Sequence, residues 1–361
     1  MSEMSPRERT LCAFSGGQPD RVPIYDFIYS RKLYKEVIGK VPEYYNGEDA
    51  TRCAAKIGYD FVVVPLGGFG GIRNHAESDD IYEDEWGTTY QQDAEVSWPA
   101  DAPIAFPLKE RNDWKNYRIP DPSPPARLSE IEAALKVAKE TRTAVFGCVR
   151  GPFTAAWLLL GIDTFSLLLY DDPDFVDQVL TACTDFYIEG GRRMIEAGVD
   201  GITFADDYGS TSAPLLSPAL FQKHIIPQLR RMVGTFRQMG VPVMMHSDGN
   251  IWPLLDSIVA ETEINAYHPV ERGAGMDLKE VKQAFGHKIC LIGNVDNKTT
   301  LVTGSVEDVR SEAIECIQAA APGGGYILAS DHSLKDDMPN ENIFALYETG
   351  RKYGKYPISV E

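Results

Sequence analysis

Eight short apolar runs, each followed by a stretch with helical spacing, constrain the fold of this chain more than any other feature. They lie at 22–26, 59–65, 143–149, 201–206, 241–246, 263–268, 288–293 and 325–330. Each is nearly continuous in aliphatic residues instead of alternating, as parallel strands covered on both faces should be. The stretches between them carry helix signals. Ser217-Pro218 sets an N-cap before a proline, Leu229, Met232, Val233 and Phe236 follow at helical spacing, and Gly240 supplies the stop. Asp172-Pro173 opens another helix, and 305–321 forms a third, closed by Pro322 and three glycines. Strands and helices in alternation predict an α/β fold, a single (β/α)₈ TIM barrel, with an open doubly wound sheet as the alternative.

One segment breaks the rhythm. Residues 66–142, between the second and third strands, hold the glycine-rich LGGFGG, the aromatic and acidic YEDEWGTTY and a proline-rich stretch, before a helix at 128–141. A structureless loop of that length is improbable inside a compact domain. The segment is expected to run over the barrel mouth and to carry a small hairpin, within one domain spanning 1–361. The glycines lack a following Lys-Ser/Thr and the GxGxxG order, so a tight turn is the reading and not a phosphate cradle.

Charge narrows the partners. With 35 basic and 53 acidic residues the formal charge is −18, which repels nucleic acid and anionic membrane surfaces. No window approaches the length of an apolar membrane span. The start, MSEMSPRERTLCAF, lacks the apolar core of a signal peptide, and six scattered cysteines show no CxxC. Reduced thiols in the cytoplasm are the expectation.

In barrels, reactive residues sit at the C-terminal ends of strands. Those ends offer Asp26, Arg150, Asp206 with Asp207, His246 with Asp248, His268, Asn294 with Asp296, and Asp331 with His332. Capping of the following helices explains some of these acids, but not the convergence of so many. The sharpest local feature is VPVMMHSDGNIW. Side chains two residues apart in extended backbone point the same way, so His246 and Asp248 converge on one point. Such a pair can bind a metal, orient a general base, or be a hydrogen-bonded pair alone. With His332 from another strand end it makes a three-ligand set compatible with zinc, one position left open.

The motifs taken together resemble the uroporphyrinogen decarboxylase superfamily, which includes the decarboxylase and corrinoid-dependent methyltransferases. The likeness runs through DRVPIYDF, DEWGTTY, GPFTAAWLLLG, FADDYGS, SPALFQKHIIPQLRRM, VPVMMHSDGNI, GMDLKEVKQAFGHK, GNVD, APGGGYILASDHSL and MPNENIFALYE, nearly the whole chain. It implies the (β/α)₈ barrel. Decarboxylases of the family carry an arginine-rich loop after the first strand and an acid after the second. Here those places read DFIYSRKLYKE and VVPLGGFGG, without the arginine pair or the acid. The thiol-alkylating methyltransferases hold zinc with a His-x-Cys pair and a distant Cys, where this chain has His246, Asp248 and His332. Nitrogen and oxygen ligands make a harder, more Lewis-acidic centre than thiolates do.

The resemblance therefore implies a methyltransferase of O-demethylase type. It would move a methyl group from a small methylated donor, such as an aromatic methyl ether, to Co(I) of a corrinoid. The chain has no DxHxxG-type cobalamin pattern, so the corrinoid would be supplied by a partner protein. On this reading His246, Asp248 and His332 hold zinc, while Asp206, Asp207 and Asp331 serve the proton chemistry. Phe69, Trp86, Tyr90, Arg150, Tyr208 and His268 face the substrate. The alternatives are a decarboxylase acting on a porphyrinogen or a simpler acid, and transfer in the other direction, from methylcorrinoid to a thiol or folate acceptor.

Overall fold

A computed structural model describes residues 3–67, 73–76, 80–92 and 102–358. Seven strands form one curled parallel sheet: β1 (Phe61–Pro65), β2 (Ala144–Arg150), β3 (Gly201–Ala205), β4 (Val243–His246), β5 (Ala266–His268), β6 (Cys290–Val295) and β7 (Tyr326–Ser330). They neighbour one another in chain order from β1 to β7. Every residue of β1, β4, β5, β6 and β7 is buried, as the apolar runs require of strands covered on both faces. Helices return the chain between them, and one hydrophobic core extends from Ala13 to Tyr347. Among the described residues no single helix is long and apolar enough to cross a membrane.

The first of the eight expected strands is not a regular strand. Segment 22–26 bonds to both edges of the sheet: Tyr25 N–H donates to Leu328 O, Leu328 N–H to Pro23 O, and Asp60 N–H, just before β1, to Ile24 O. Pro23 has no N–H to give. The Ile24 N–H is taken by the Asp60 carboxylate at 2.7 Å, which also accepts from Arg9 and Arg21. The ladder is thus reduced to an isolated bridge between Ile24 and Leu328. Regular pairing resumes at Phe27–Ile28, parallel to Ser333–Leu334.

The helix expected after Ser217 is present but uneven. The Ser217 hydroxyl caps Pro218–Leu220, residues Phe221–Ile225 form a wide π-helical turn, and an α-helix continues over Ile226–Gln238. Pro227 cannot donate to the ladder, which accounts for the widened turn upstream.

Segment 66–142 is more than a hairpin. Arg73–Ala76, Ile81–Asp84, Thr89–Gln91 and Ala102–Ala105 form a four-stranded antiparallel sheet. Asp84 shapes its central turn by accepting from Trp86 and Thr88 N–H. The Thr88 hydroxyl then donates to Leu158 O at 2.7 Å. The Trp86 ring packs edge-on against Phe186, with centroids 4.7 Å apart. These contacts pin the small sheet to the helices Pro152–Leu160 and Pro173–Ala197.

Candidate active site

The C-terminal ends of β3, β4, β5 and β7 deliver the titratable groups to one place. His246 ends β4 and lies in register with Ala205 of β3 and His268 of β5. Asp248 follows two residues later, and His332 lies two residues beyond β7. His332 Nε2 is 2.9 Å from Asp248 Oδ2, and His246 Nε2 is 3.7 Å from Asp248 Oδ1 and 3.9 Å from Asp207 Oδ1. One ligand atom from each of His246, Asp248 and His332 fits within a 4.8 Å cluster. A tetrahedral zinc with bonds of about 2.0–2.2 Å separates its ligand atoms by roughly 3.3–3.6 Å, so the three need only small adjustments to hold one. Asp248 Oδ1 is buried without a hydrogen-bond partner, an acceptor left for something the protein itself does not provide.

Burial works against charge on Asp248, yet His246 and His332 on either side hold its carboxyl well below the usual carboxylate range. Burial likewise opposes protonation of His332, but Asp248 outweighs it and raises the imidazole above its ordinary value. His332 Nδ1 lies 2.6 Å from Ser333 Oγ, an outer contact that orients the ring. His246 has its own outer partner, since its Nδ1 lies 2.7 Å from His268 Nδ1. His268 is fully buried, and burial together with His246 depresses its basicity well below the ordinary imidazole value. A single proton therefore joins the two Nδ1 atoms. Phe27 closes the inner side, its ring 5.5 Å from His246 and 5.7 Å from His268.

The acids divide by surroundings. Asp207 is half-exposed at the rim and accepts from Asp248 N–H. Asp206 is fully buried. It accepts from Phe153 N–H at 3.2 Å and Thr154 N–H at 2.6 Å, in the first turn of Pro152–Leu160, and from the Tyr208 hydroxyl at 2.7 Å. Burial raises its carboxyl to about 7 against these bonds. Gly151 makes room for it, because a Cβ there would lie 2.3 Å from the Asp206 side chain. Asp331 is buried and raised to about 6, chiefly by burial, while one oxygen accepts from Asn297 N–H. Asp26 accepts from Ser330 N–H and Oγ, and burial raises it to about 7.

Of the residues expected to face the substrate, Arg150 and Trp86 line a cavity of about 150 Å³ that reaches Asp207. Tyr208 is instead buried beneath the site, between Asp206 and the ring of Phe221. Tyr90 stacks on Tyr82 within the small sheet. Phe69 lies outside the described residues. A larger cleft, about 1000 Å³, opens at the other end of the sheet beside Arg9, Arg21 and Lys56. It is remote from these acids and imidazoles, whereas strand C-termini carry the chemistry in folds of this kind.

Sequence reasoning passed over Phe27 and Glu271. Glu271 accepts from Gly249 N–H and pairs with Lys298, holding the turn after Asp248. The only hint of either was position, directly after Asp26 and three residues after His268.

The chain is 25% identical to the methylcobamide:CoM methyltransferase MtaA of Methanosarcina barkeri, across 98% of this chain and 99% of the relative. It is 26% identical to MtbA of Methanosarcina mazei over 68% and 69% of the two chains. It is also 25% identical to the uroporphyrinogen decarboxylase of Azoarcus sp. over 67% and 68%. A solved methyltransferase from Methanosarcina mazei superposes with a TM-score of 0.75 at 23% identity, covering 97% of this chain and 99% of that one, and so shares the fold. Residues 93–353 match the model of the uroporphyrinogen decarboxylase family, and the chain belongs to that family.

Proposed function

We propose that this protein is a corrinoid-dependent methyltransferase of the cytoplasm. It takes a methyl group from a small methylated donor, an aromatic methyl ether, and passes it to Co(I) of a corrinoid carried by a partner protein. The observation that carries the reading is the His246, Asp248 and His332 cluster, three nitrogen and oxygen ligands at one strand-end site. The likeness to the methyltransferases MtaA and MtbA supports the reaction class. His246, Asp248 and His332 would hold a zinc ion, which would lend Lewis acidity to an oxygen leaving group.

The chain's own groups do the rest. His268 and Ser333 hold the two imidazoles in orientation. Asp207, at the rim beside His246, is placed to give the departing oxygen its proton. Asp331, with a carboxyl raised to about 6, holds a further proton in weakly acidic solution. Asp206 holds the floor of the site through Tyr208 and the helix Pro152–Leu160.

The test is a rate series with methoxyaromatic donors and Co(I) corrinoid protein in excess, following methyl–cobalt by absorbance. Asp248→Ala should slow transfer by roughly 10²-fold or more, least for electron-poor rings whose phenolates leave easily. The same substitution should abolish about one equivalent of zinc found in protein purified without chelator. Equal losses across all donors would reduce Asp248 to a shaping role. The likeness to the methylcobamide:CoM methyltransferases MtaA and MtbA favours a second reading, transfer from methylcorrinoid to a thiol. Loss of methyl–cobalt on adding thiol, with no formation from any ether, would select it.

A further inference from the structure

Arg150 is loosely paired for a part-buried cation. It ends β2 with a side chain 23% exposed, its carboxylate neighbour is Asp84, with Nη1 and Oδ2 3.9 Å apart, and the Tyr90 hydroxyl is its other close polar group. That separation is beyond hydrogen-bond length. The same cavity wall shows what a structural arginine looks like. Arg127 meets Glu85 with both guanidinium nitrogens, one contact at 2.6 Å and the other shorter still, and both side chains are buried. A guanidinium placed only to neutralise Asp84 would close on it in the same two-pronged way.

The space in front of Arg150 is a slot of about 150 Å³, walled by Pro65, Leu66, Trp86 and Phe186 and ending at Asp207. Asp207 Oδ1 is 3.9 Å from His246 Nε2, so the slot runs from a cation to the reactive cluster. Its size admits one ring. Apart from the Arg127–Glu85 pair and Thr154, its walls are apolar and aromatic, suited to a flat hydrocarbon body. One cation beside the carboxylates of Asp84 and Asp207 suits a single negative charge, whereas a phosphate dianion would call for more. In a chain of net charge −18 an anion needs such a local counter-charge to enter at all.

We infer that the small molecule handled at this site carries a carboxylate or sulfonate head group that Arg150 binds, which for an ether donor means a methoxylated aromatic acid. The inference rests on the proposed methyl-transfer reading for the choice of ether, but not for the anion. Anchoring the acid at Arg150 points the far end of the ring, with its methoxy group, toward His246, Asp248 and His332. The head group therefore selects which ring position is demethylated.

Calorimetric titration of the metal-free protein tests this without turnover, using 4-methoxybenzoate, methoxybenzene and 2-mercaptoethanesulfonate as probes. The wild type should bind 4-methoxybenzoate at least roughly 10-fold more tightly than methoxybenzene. Arg150→Gln should erase that margin by losing a charge-assisted bond worth roughly 10- to 100-fold, with methoxybenzene binding unchanged. Arg150→Lys should restore part of it. Arg150-dependent binding of the sulfonate instead of the benzoate would support the anion anchor with a thiol ligand as its source. Equal binding of 4-methoxybenzoate and methoxybenzene by the wild type would overturn the inference even if Arg150→Gln folds poorly. Arg150-dependent benzoate binding without any methyl–cobalt formation leaves the anchor standing and removes the methyl-transfer reading. Methyl transfer that is indifferent to the carboxylate does the reverse.

Discussion

Replacing Asp206 by alanine separates a structural duty from a chemical one. The carboxylate accepts three bonds, from the buried N–H of Phe153, the part-buried N–H of Thr154 and the buried hydroxyl of Tyr208. Each donor left without a partner costs about 1–3 kcal/mol, and losing the cap of a helix costs about 0.5–2 kcal/mol as part of that sum. Against this, the variant no longer buries a carboxyl whose charge is disfavoured, so the low end of the range applies, about 3 kcal/mol. For 361 residues at about 2.1 cal/mol/K per residue of unfolding entropy, that lowers Tm by about 4 °C. Asp206→Asn keeps one acceptor oxygen and should lose less than Asp206→Ala. Asp207→Asn, at the half-exposed rim, should stay within about 1 °C of the wild type. The assay is differential scanning calorimetry of the three variants beside their turnover. An Asp206→Ala protein that melts with the wild type yet shows no turnover would refute the capping argument and place this carboxylate on the substrate.

Asp26 sets a pH dependence of defined sign. Burial raises its carboxyl from 3.8 to about 7, so the folded chain holds a proton that the unfolded chain releases, and stability falls as pH rises from about 4 to about 7. The loss is on the order of 4 kcal/mol. Urea midpoints of the wild type and Asp26→Asn across this window should differ by a sloping curve, and a flat difference would remove Asp26 as its source. Arg127→Ala strands the buried Glu85 carboxylate and should cost about 3–5 kcal/mol, read by calorimetry. A variant with an unchanged Tm would mean that water reaches Glu85.

The parallel sheet was legible because strands covered on both faces leave uninterrupted aliphatic runs, and β1 to β7 fall within seven of the eight runs or one to two residues beyond them. The eighth, at 22–26, looks the same in composition. Its lost pairing depends on a carboxylate, Asp60, more than thirty residues away. The His246 and Asp248 pair was legible for a local reason, the two-residue period of extended backbone at a strand end, and His332 for its place at the end of another strand. Asp206 and Asp207 show the limit. In sequence they are an identical pair, and only the approach of the helix after β2 makes one a cap and leaves the other at the rim. The small antiparallel sheet was missed beyond a hairpin because its four strands are only three or four residues long, too short to display a period.

The contact between Gly151 and Asp206 binds the history of two positions together. With glycine at 151 the acid fits, and with anything larger the acid must leave or the helix must shift, since the added carbon would lie 2.3 Å from it. A lineage that drifts at 151 therefore first needs a smaller residue at 206 and another cap for Phe153 and Thr154. Either step alone is disfavoured, so the two sites should change as a pair or not at all. In a double-mutant cycle Gly151→Ala should cost much less beside Asp206→Ala than beside the native acid, the non-additivity expected of residues sharing one space.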